Sequence, residues 1–381
     1  MKKIRLLALC LAAVLLLCSC SSPTYKPVAS SAEETKTVVT FSAGKKTYKV
    51  PFELYRTFFL MLKPSIDGGD SSVWSGAEKE TYRAAVNEKI LDRLYDIYSV
   101  FALCDAIGYD PYSKQADEEV QAFIQVSVDG GFLNDVYLTG YDSYDDYLAD
   151  LRANYLTYNV QDLLYRYALA EDAVQSYYIG NTSGSYLEDT YLGVLTYPEN
   201  SLRSFFDEDG TMRVIWLYTP KNIVSTADAL TAKVAERQSA MKQIAAEKTD
   251  IAARDVAVAE YVIGHSTDPA SEVLRGQLIS KYNLSRLTYG ELLKTAEALA
   301  VGEVSEPIEV VTDAFNGYFI LYRAEKTDAW FADPANRDAL IDAYLMDAFG
   351  RLLAEKEEEL RASVKLTDDL RNLDLASVSM E

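Results

Sequence analysis

The residue types that carry most protein chemistry are scarce in this chain of 381 residues. It contains one histidine, His265, and of its four cysteines only Cys104 lies beyond residue 20. Zinc sites and proton relays that need two histidines are therefore excluded. Three carboxylates lie between Asp142 and Asp146, but they lack the alternating spacing and central glycine of a calcium loop. We expect no metal and no cofactor.

The remaining candidates have ordinary structural interpretations. His265 stands before Ser266 without nearby partners, which favours a loop residue over a displaced catalytic base. Cys104 falls in an apolar helical pattern, which predicts a buried core thiol. Asp268 precedes Pro269, and two interpretations stay open for it, an ordinary turn start or the remnant of an acidic site.

Composition limits the class of protein and its partners. With 37 basic and 58 acidic residues, the net charge is −21, which argues against nucleic acid because phosphates require Lys and Arg. Hydrophobic residues make up 49% of the chain and charged residues 25%, as in globular proteins. The length predicts two or three domains.

The first twenty residues predict export. Lys2, Lys3 and Arg5 precede the apolar run 6–17, which is too short to span a membrane and is typical of a signal peptide. The following Leu17-Cys18-Ser19-Cys20 resembles a bacterial lipobox, whose last cysteine is lipidated. We predict a signal peptide over 1–19 and a flexible tether over 20–36 that begins with lipidated Cys20. A secretory signal without lipid is the alternative.

Residues 37–180 predict a mostly helical domain that opens with a hairpin around Ser42–Lys46. Apolar residues recur at helical spacing up to Gly108, where that pattern ends. Ser143 with Asp146 forms a capping box. The predicted helices cover 79–107, 115–127, 144–152 and 153–179.

After a turn-rich connection over 181–210, the pattern changes to α+β. A strand with period two begins at Met212, long helices follow, and two more strands come after Gly302. The predicted strands are 212–218, 307–312 and 317–323; the predicted helices are 225–247, 249–261 and 289–300, with a loop over 264–285. A long helix over 334–364 and a short strand over 364–367 lie near the end of the chain.

The segment from Leu299 to Ile308, Leu-Ala-Val-Gly-Glu-Val-Ser-Glu-Pro-Ile, resembles the helix end, turn and strand of parvulin-type (PpiC-type) peptidyl-prolyl isomerases. Gly317-Tyr318-Phe319-Ile320 resembles the Gly-Tyr-His-Ile strand of that family, and Ser266-Thr267-Asp268 and Arg275–Leu278 resemble its loops. The helices on either side resemble the chaperone module of PrsA/SurA-type foldase lipoproteins. The likeness covers about residues 37–374.

This resemblance implies an α+β architecture with an inserted domain. A mostly helical chaperone domain like the SurA N-terminal domain would cover 37–180, and a parvulin-like α/β domain would cover 211–325. The segment 326–381 would return to complete the helical domain.

The same resemblance implies site residues for proline-peptide isomerisation, position by position. Asp268 takes the acidic position, and Phe319 replaces the histidine of the last strand. The first-strand histidine falls at or beside Ile215 and Trp216. Leu292 takes the floor of the proline pocket, and Leu278 lies in a loop where Ile279 replaces a glycine. The expected substrate-binding set is Leu292, Phe319, Ile215 and Leu278, with Asp268 as a catalytic remnant and most of the polar network replaced by hydrocarbon.

We therefore expect a membrane-anchored chaperone on the outer face of the bacterial cell membrane, with weak or lost isomerase activity. Its expected partners are unfolded exported polypeptides, and the membrane through the lipid. The tyrosines of 155–178 suit either core packing or a client groove. Two alternatives remain, an active parvulin-type isomerase and a solute-binding lipoprotein, although the latter predicts two βαβ lobes that the sequence does not show.

Overall fold

The computed structural model describes residues 25–133, 136–180, 193–266, 269–284, 286–311 and 315–380. The chain divides after residues 183 and 351 into two compact units. The first unit contains the chain before the first division and after the second, and the second unit is the segment between them. Both helices and sheets are present, which confirms the predicted α+β class.

The chain up to residue 180 forms mainly helices. In chain order the elements are β1 (Thr37–Ala43), β2 (Lys46–Pro51), α1 (Phe52–Asp67), α2 (Lys79–Ile107), α3 (Lys114–Asp129), β3 (Gly131–Leu133), β4 (Val136–Leu138), α4 (Tyr144–Ala153) and α5 (Tyr158–Ile179).

The rest of the chain contains both strands and helices, and its longest helix lies near the end. Its elements are α6 (Glu199–Asp207), β5 (Met212–Pro220), α7 (Ala227–Glu247), α8 (Ile251–Ile263), α9 (Ala270–Arg275), β6 (Gln277–Ile279), α10 (Arg286–Ala298), β7 (Ile308–Val311), β8 (Asn316–Ala324), α11 (Asp328–Ala332), α12 (Arg337–Ser363), β9 (Lys365–Leu366) and α13 (Asp368–Arg371).

The first unit joins the early and late parts of the chain in one antiparallel sheet. Strand β1 lies between β2 and β9, with Val39 opposite Leu366. Phe41 of β1 packs edge-on against Tyr98 of α2, with ring centroids 4.9 Å apart. The residues after α12 are therefore part of this unit's sheet.

Helix boundaries follow local capping. Gly108 has a φ of 73° at the end of α2, in the left-handed region that glycine enters without strain. The Ser143 hydroxyl accepts a hydrogen bond from the Asp146 N–H, as the capping box predicts. The prediction of continuous helix from residue 153 is wrong, because Tyr155 has a φ of 62° and Thr157 caps a new helix.

The second unit is built on a four-stranded antiparallel sheet in the order β6-β5-β8-β7. Strands β5 and β8 pair along their whole length, from Arg213 opposite Ala324 to Pro220 opposite Gly317. Position 317 requires glycine, because a Cβ there would overlap the backbone carbonyl of Thr219.

Helices cover both faces of this sheet. On one face, Ile215, Leu217 and Ile320 pack against α7, α8 and α9. On the other, Val214 and Phe319 pack with residues of α10. We call these the α8 face and the α10 face. Since both are buried, β5 is apolar on both sides.

Two stretches contain elements that the sequence did not predict. The predicted connection over 181–210 includes α6, whose Phe206 stacks on Trp330 at 5.4 Å. The predicted loop over 264–285 includes α9 and β6. Helix α9 and strand β6 are too short to display a periodic pattern, whereas α6 has nine residues with Leu202, Phe205 and Phe206 at helical spacing. Within the described ranges, none of the helices has the length and apolar character needed to cross a bilayer.

Candidate functional site

Strands β5 and β8 carry the positions at which the resemblance expects two histidines. Only one of the two β5 candidates, Trp216, shares the α10 face with Phe319, whereas Ile215 belongs to the opposite face. The rings of Trp216 and Phe319 meet nearly at right angles, with centroids 5.9 Å apart. Two aromatic rings thus lie in contact where the family would carry imidazoles.

Trp216 and Phe319 belong to a larger group with Tyr218 and Phe315, which we call the aromatic cluster. Phe319 lies buried at its centre, 4.8 Å from Tyr218 and 5.3 Å from Phe315 between ring centroids. The other three rings are half-buried. The Tyr218 hydroxyl accepts a hydrogen bond of 2.9 Å from the Asn316 N–H. The cluster therefore has a dry centre and a rim that reaches solvent.

Leu292, the expected floor of a proline pocket, lies beneath this cluster on α10. Its side chain is completely buried and belongs to the same core as Phe319, Leu321 and Val310. Close-packed side chains fill that position, so Leu292 supports the cluster from below and offers no open cavity. The accessible apolar surface is the rim formed by Trp216, Tyr218 and Phe315.

The expected binding set does not form one site, and its single-cleft arrangement needs correction. Leu278 pairs directly with Arg213, and directly opposed residues project to the same face of a sheet. Leu278 and Ile215 therefore lie on the α8 face, away from Phe319 and Leu292. Side chains alternate along a strand, so the side chains of neighbours such as Ile215 and Trp216 project to opposite faces of the sheet.

A crevice beside β5 is the nearest recess, and it is small. Val214, Ile215 and Trp216 line one side of it, and residues of α9 and β6 complete the lining. Its volume is about 10 Å³, which is roughly the space for one water molecule. A proline side chain does not fit into this crevice.

The α8 face contains a buried polar network that the sequence did not predict. Arg213 donates to the Asp255 carboxylate at 2.8 Å, and the Tyr322 hydroxyl donates to its other oxygen at 2.7 Å. Burial lowers the pKa of Arg213, against the opposing effect of the nearby Asp255 charge. Burial and the hydrogen bond to Asp255 raise the pKa of Tyr322.

The neighbouring backbone completes this network and indicates its role. Arg213 also donates to the carbonyls of Arg275, Leu274 and Glu325. The guanidinium thus joins β5, α8, α9 and the end of β8. The buried guanidinium is satisfied by one carboxylate and three carbonyls from these elements, which indicates a structural role. An arginine within the apolar strand β5 is the signal that was available in the sequence.

The residues singled out for acid–base or thiol chemistry are dispersed. His265 is exposed after α8, and its Nδ1 lies 2.8 Å from the Tyr261 carbonyl oxygen. Asp268 and Cys20 fall outside the described residues. Cys104 is buried, and burial raises the pKa of its thiol to about 12, so it remains a protonated core thiol at neutral pH.

The carboxylates near residue 142 serve helix α4. Asp146 interacts with the capping Ser143, and Tyr141 donates to Asp150 at 2.8 Å. Over the part of the chain that the structure describes, there is no cluster of three or more His, Cys, Asp or Glu side chains suited to a metal ion.

The tyrosines of the first unit divide between core and surface. Tyr158 is buried, and Tyr165 stacks on Phe123 with ring centroids 5.4 Å apart. Tyr155 and Tyr177 are exposed, with 39% and 45% of their surface accessible. Core packing is therefore confirmed for Tyr158 and Tyr165, and a client groove that uses the exposed members stays a prediction.

Comparison with known proteins gives no assignment: no protein-family model matches the sequence, and no curated protein matches it.

Proposed function

We propose that this chain is a membrane-anchored extracytoplasmic chaperone of the PrsA/SurA foldase type, in which the parvulin-like domain binds polypeptide without appreciable isomerisation. The observation that carries the proposal is the aromatic cluster, with its buried Phe319 and half-exposed rim. Aromatic faces bind proline rings and other apolar side chains of unfolded polypeptides through contact area alone.

The chemistry of the cluster favours binding over turnover. An isomerase must bind the twisted amide better than either planar form, across a barrier of ~18–20 kcal/mol. Phe319 offers neither a proton nor a hydrogen bond, and Trp216 offers only an indole N–H donor. Apolar contact stabilises planar and twisted peptides similarly, so it lowers the free energy of binding without lowering the barrier.

The chain organisation supports the same proposal. A compact sheet-and-helix unit lies between two parts of a mostly helical unit, as a foldase with an inserted parvulin-like domain requires. Exposed tyrosines of the helical unit add apolar surface with polar tips. The net charge of −21 would keep bound clients soluble and disfavour acidic ones.

The test is suppression of aggregation by the mature chain, residues 20–381, with an unfolded secreted protein as client. We expect the parent protein to delay aggregation, and the double variant Tyr218→Ser/Phe315→Ser to lose at least half of that delay. Val256→Ser is the matched control, because Val256 is exposed on α8 and lies outside the cluster. Equal suppression by the double variant and the control would exclude the aromatic cluster as the client site.

A protease-coupled assay on proline peptides supplies the second readout. We expect a rate indistinguishable from the uncatalysed isomerisation, and no gain from Phe319→His, because that position is enclosed by aromatic carbon. Clear catalysis by the parent chain would replace this proposal with the active isomerase.

A further inference from the structure

The first unit presents an aromatic pair on a small hairpin of its own. Strands β3 and β4 form a two-stranded sheet, in which Phe132 stands directly opposite Tyr137. Their rings contact each other at 5.3 Å between centroids. Yet 72% of Phe132 and 64% of Tyr137 remain accessible to solvent. Exposed apolar surface held on an ordered element indicates a contact that covers it.

The hairpin is anchored at its base. The Tyr141 N–H donates to the Val128 carbonyl at 2.8 Å, which closes the loop between α3 and the residues after β4. A side chain at Gly140 would collide with the backbone at Asp129, so the end of α3 and the segment after β4 approach closely there. The aromatic pair is therefore held in place from below.

The N-terminal segment of the described chain packs beside this base. Tyr25 stacks on Tyr144 of α4 with ring centroids 4.7 Å apart, and its hydroxyl donates to Asp129. The Tyr144 hydroxyl donates to the Lys26 carbonyl at 2.9 Å. Asp129 ends α3 and lies two residues before β3, so Tyr25 lies at the foot of the hairpin.

The number of residues between Cys20 and Tyr25 limits the distance between the foot of the hairpin and a membrane that holds a lipid on Cys20. Four residues lie between Cys20 and Tyr25, which are therefore five Cα–Cα steps apart, and these steps span at most ~18 Å when fully extended. A lipid on Cys20 would hold the foot of the hairpin within that distance of the bilayer surface. We infer that Phe132 and Tyr137 insert into the membrane interface and orient the first unit there, an inference that rests on the lipid anchor of the proposed function.

Phe132 and Tyr137 suit that environment. Aromatic rings are enriched at the membrane–water boundary, and tyrosine places an apolar ring and a polar hydroxyl there together. Around the hairpin, Asp129, Asp135, Asp142 and Asp145 are acidic, and Asp135 lies between the two strands in the sequence. Attraction to anionic headgroups therefore does not contribute, and the contact relies on apolar insertion into a neutral interface.

The experiment couples Cys20 of the mature chain to a maleimide lipid in phosphatidylcholine vesicles. Cys104 is buried, so Cys20 is the reactive thiol. The variant Phe132→Trp places a fluorescent indole on the hairpin, and its emission is obtained by subtracting the emission spectrum of the parent protein. Tyr177→Trp is the matched control: it replaces a tyrosine with 45% of its surface exposed on the same unit, ~28 Å along α5 from Tyr158. Bromine on the upper acyl chain quenches an inserted indole.

We expect the emission of Trp at position 132 to shift to shorter wavelength on coupling, with at least three times the bromolipid quenching seen at position 177. Equal quenching at the two positions would overturn the inference. A shift produced by an unfolded client and not by vesicles would also overturn it, and would assign the pair to clients.

This outcome is separable from the proposed function. The tether is supplied chemically, so the result does not depend on whether cells acylate Cys20. Incorporation of labelled palmitate in cells tests that acylation, and the aggregation assay tests the chaperone activity.

Discussion

The side chains of Phe319 and Trp216 determine which contacts the aromatic cluster can offer to a bound peptide. Both lie on the paired strands β5 and β8 and share one face of the sheet, and their rings contact each other. An imidazole there would supply a donor and an acceptor within a polar network, whereas Phe supplies only area. At the residue scale, the proposed site therefore offers apolar contact area, and the Phe319 ring supplies no group that would distinguish a twisted amide.

The buried pair Arg213–Asp255 yields a prediction at the same scale. Asp255→Ala would leave the Arg213 guanidinium buried without its counter-charge, which costs ~3–5 kcal/mol of the free energy of unfolding. Tyr322→Phe removes one hydrogen bond to the same charged carboxylate and should cost about 1.5–3 kcal/mol. Urea denaturation followed by the fluorescence of Trp216 and Trp330 measures both in a Trp74→Phe background, because these two tryptophans lie in the second unit.

A loss below 1 kcal/mol for Asp255→Ala would show that water reaches Arg213 and solvates it. The parent protein with Trp74→Phe alone is the reference for both variants.

At the scale of elements, strand β9 connects the end of the chain to the first unit. Lys365 and Leu366 pair with β1, and the Thr367 N–H donates to the Val38 carbonyl at 3.0 Å. Beyond it, Leu370 and Leu375 are buried. The segment covers an edge of β1 that would otherwise be open to pairing with other chains.

Removal of residues 364–381 should therefore destabilise the first unit. Burial of each leucine contributes about 1.5–3 kcal/mol, so we expect a loss of several kcal/mol and a greater tendency to aggregate. Thermal unfolding followed by Trp74, which is buried in this unit, measures the change in a Trp216→Phe/Trp330→Phe background. Truncation after Ser377 is the control, since it keeps β9 and both leucines. Unchanged melting of the longer truncation would mean that β9 contributes no stability.

At the scale of the whole molecule, the excess of negative charge affects stability as well as solubility. Asp96 of α2 is half-buried, and burial together with the neighbouring carboxylates Glu357, Asp92 and Glu171 raises its pKa to about 7 despite the nearby Arg93. An acid whose folded pKa lies above its unfolded value of about 3.9 binds a proton more readily when folded. Its ionisation therefore opposes folding, and the opposition grows as the pH rises from about 4 to 7.

Stability of the first unit should accordingly increase as the pH falls from 8 to 5. Asp96→Asn should flatten this dependence and raise the free energy of unfolding at pH 8, by a few kcal/mol at most. Denaturant titrations at several pH values, followed by Trp74 in the same Trp216→Phe/Trp330→Phe background, provide the measurement, with Asp92→Asn as the control for removing an acidic charge from the same helix. Identical pH slopes for Asp96→Asn and the parent would contradict the raised pKa.

The sequence predicted long helices better than short elements and faces. Helix α2 begins and ends where the apolar period and Gly108 place it, because a long amphipathic helix repeats its pattern many times. Strand β6 has three residues and helix α9 six, which is too few for any period to appear. Helix α6 differs, because Leu202, Phe205 and Phe206 have helical spacing there, and the prediction of a connection overlooked that signal.

The candidate site shows a different limit. Strand β5 is apolar at successive positions because helices cover both sides of its sheet. No alternation of polar and apolar residues therefore distinguishes its two faces in the sequence. Ile215 and Trp216 were therefore equivalent in the sequence, and Leu278 could be grouped with Leu292. Pairing of β5 with β6 and β8 separates them, since register assigns each side chain to one face.

By itself the sequence determined the α+β class, the acidic charge, the scarcity of histidine and the bounds of the longest helices, because composition and repeated local patterns need no knowledge of distant contacts. Only the tertiary structure decided which aromatic rings meet on the α10 face, how Arg213 is neutralised, and that Tyr25 packs at the foot of the β3–β4 hairpin. These features depend on residues separated by tens or hundreds of positions, whose proximity arises only when the strands pair and the helices pack.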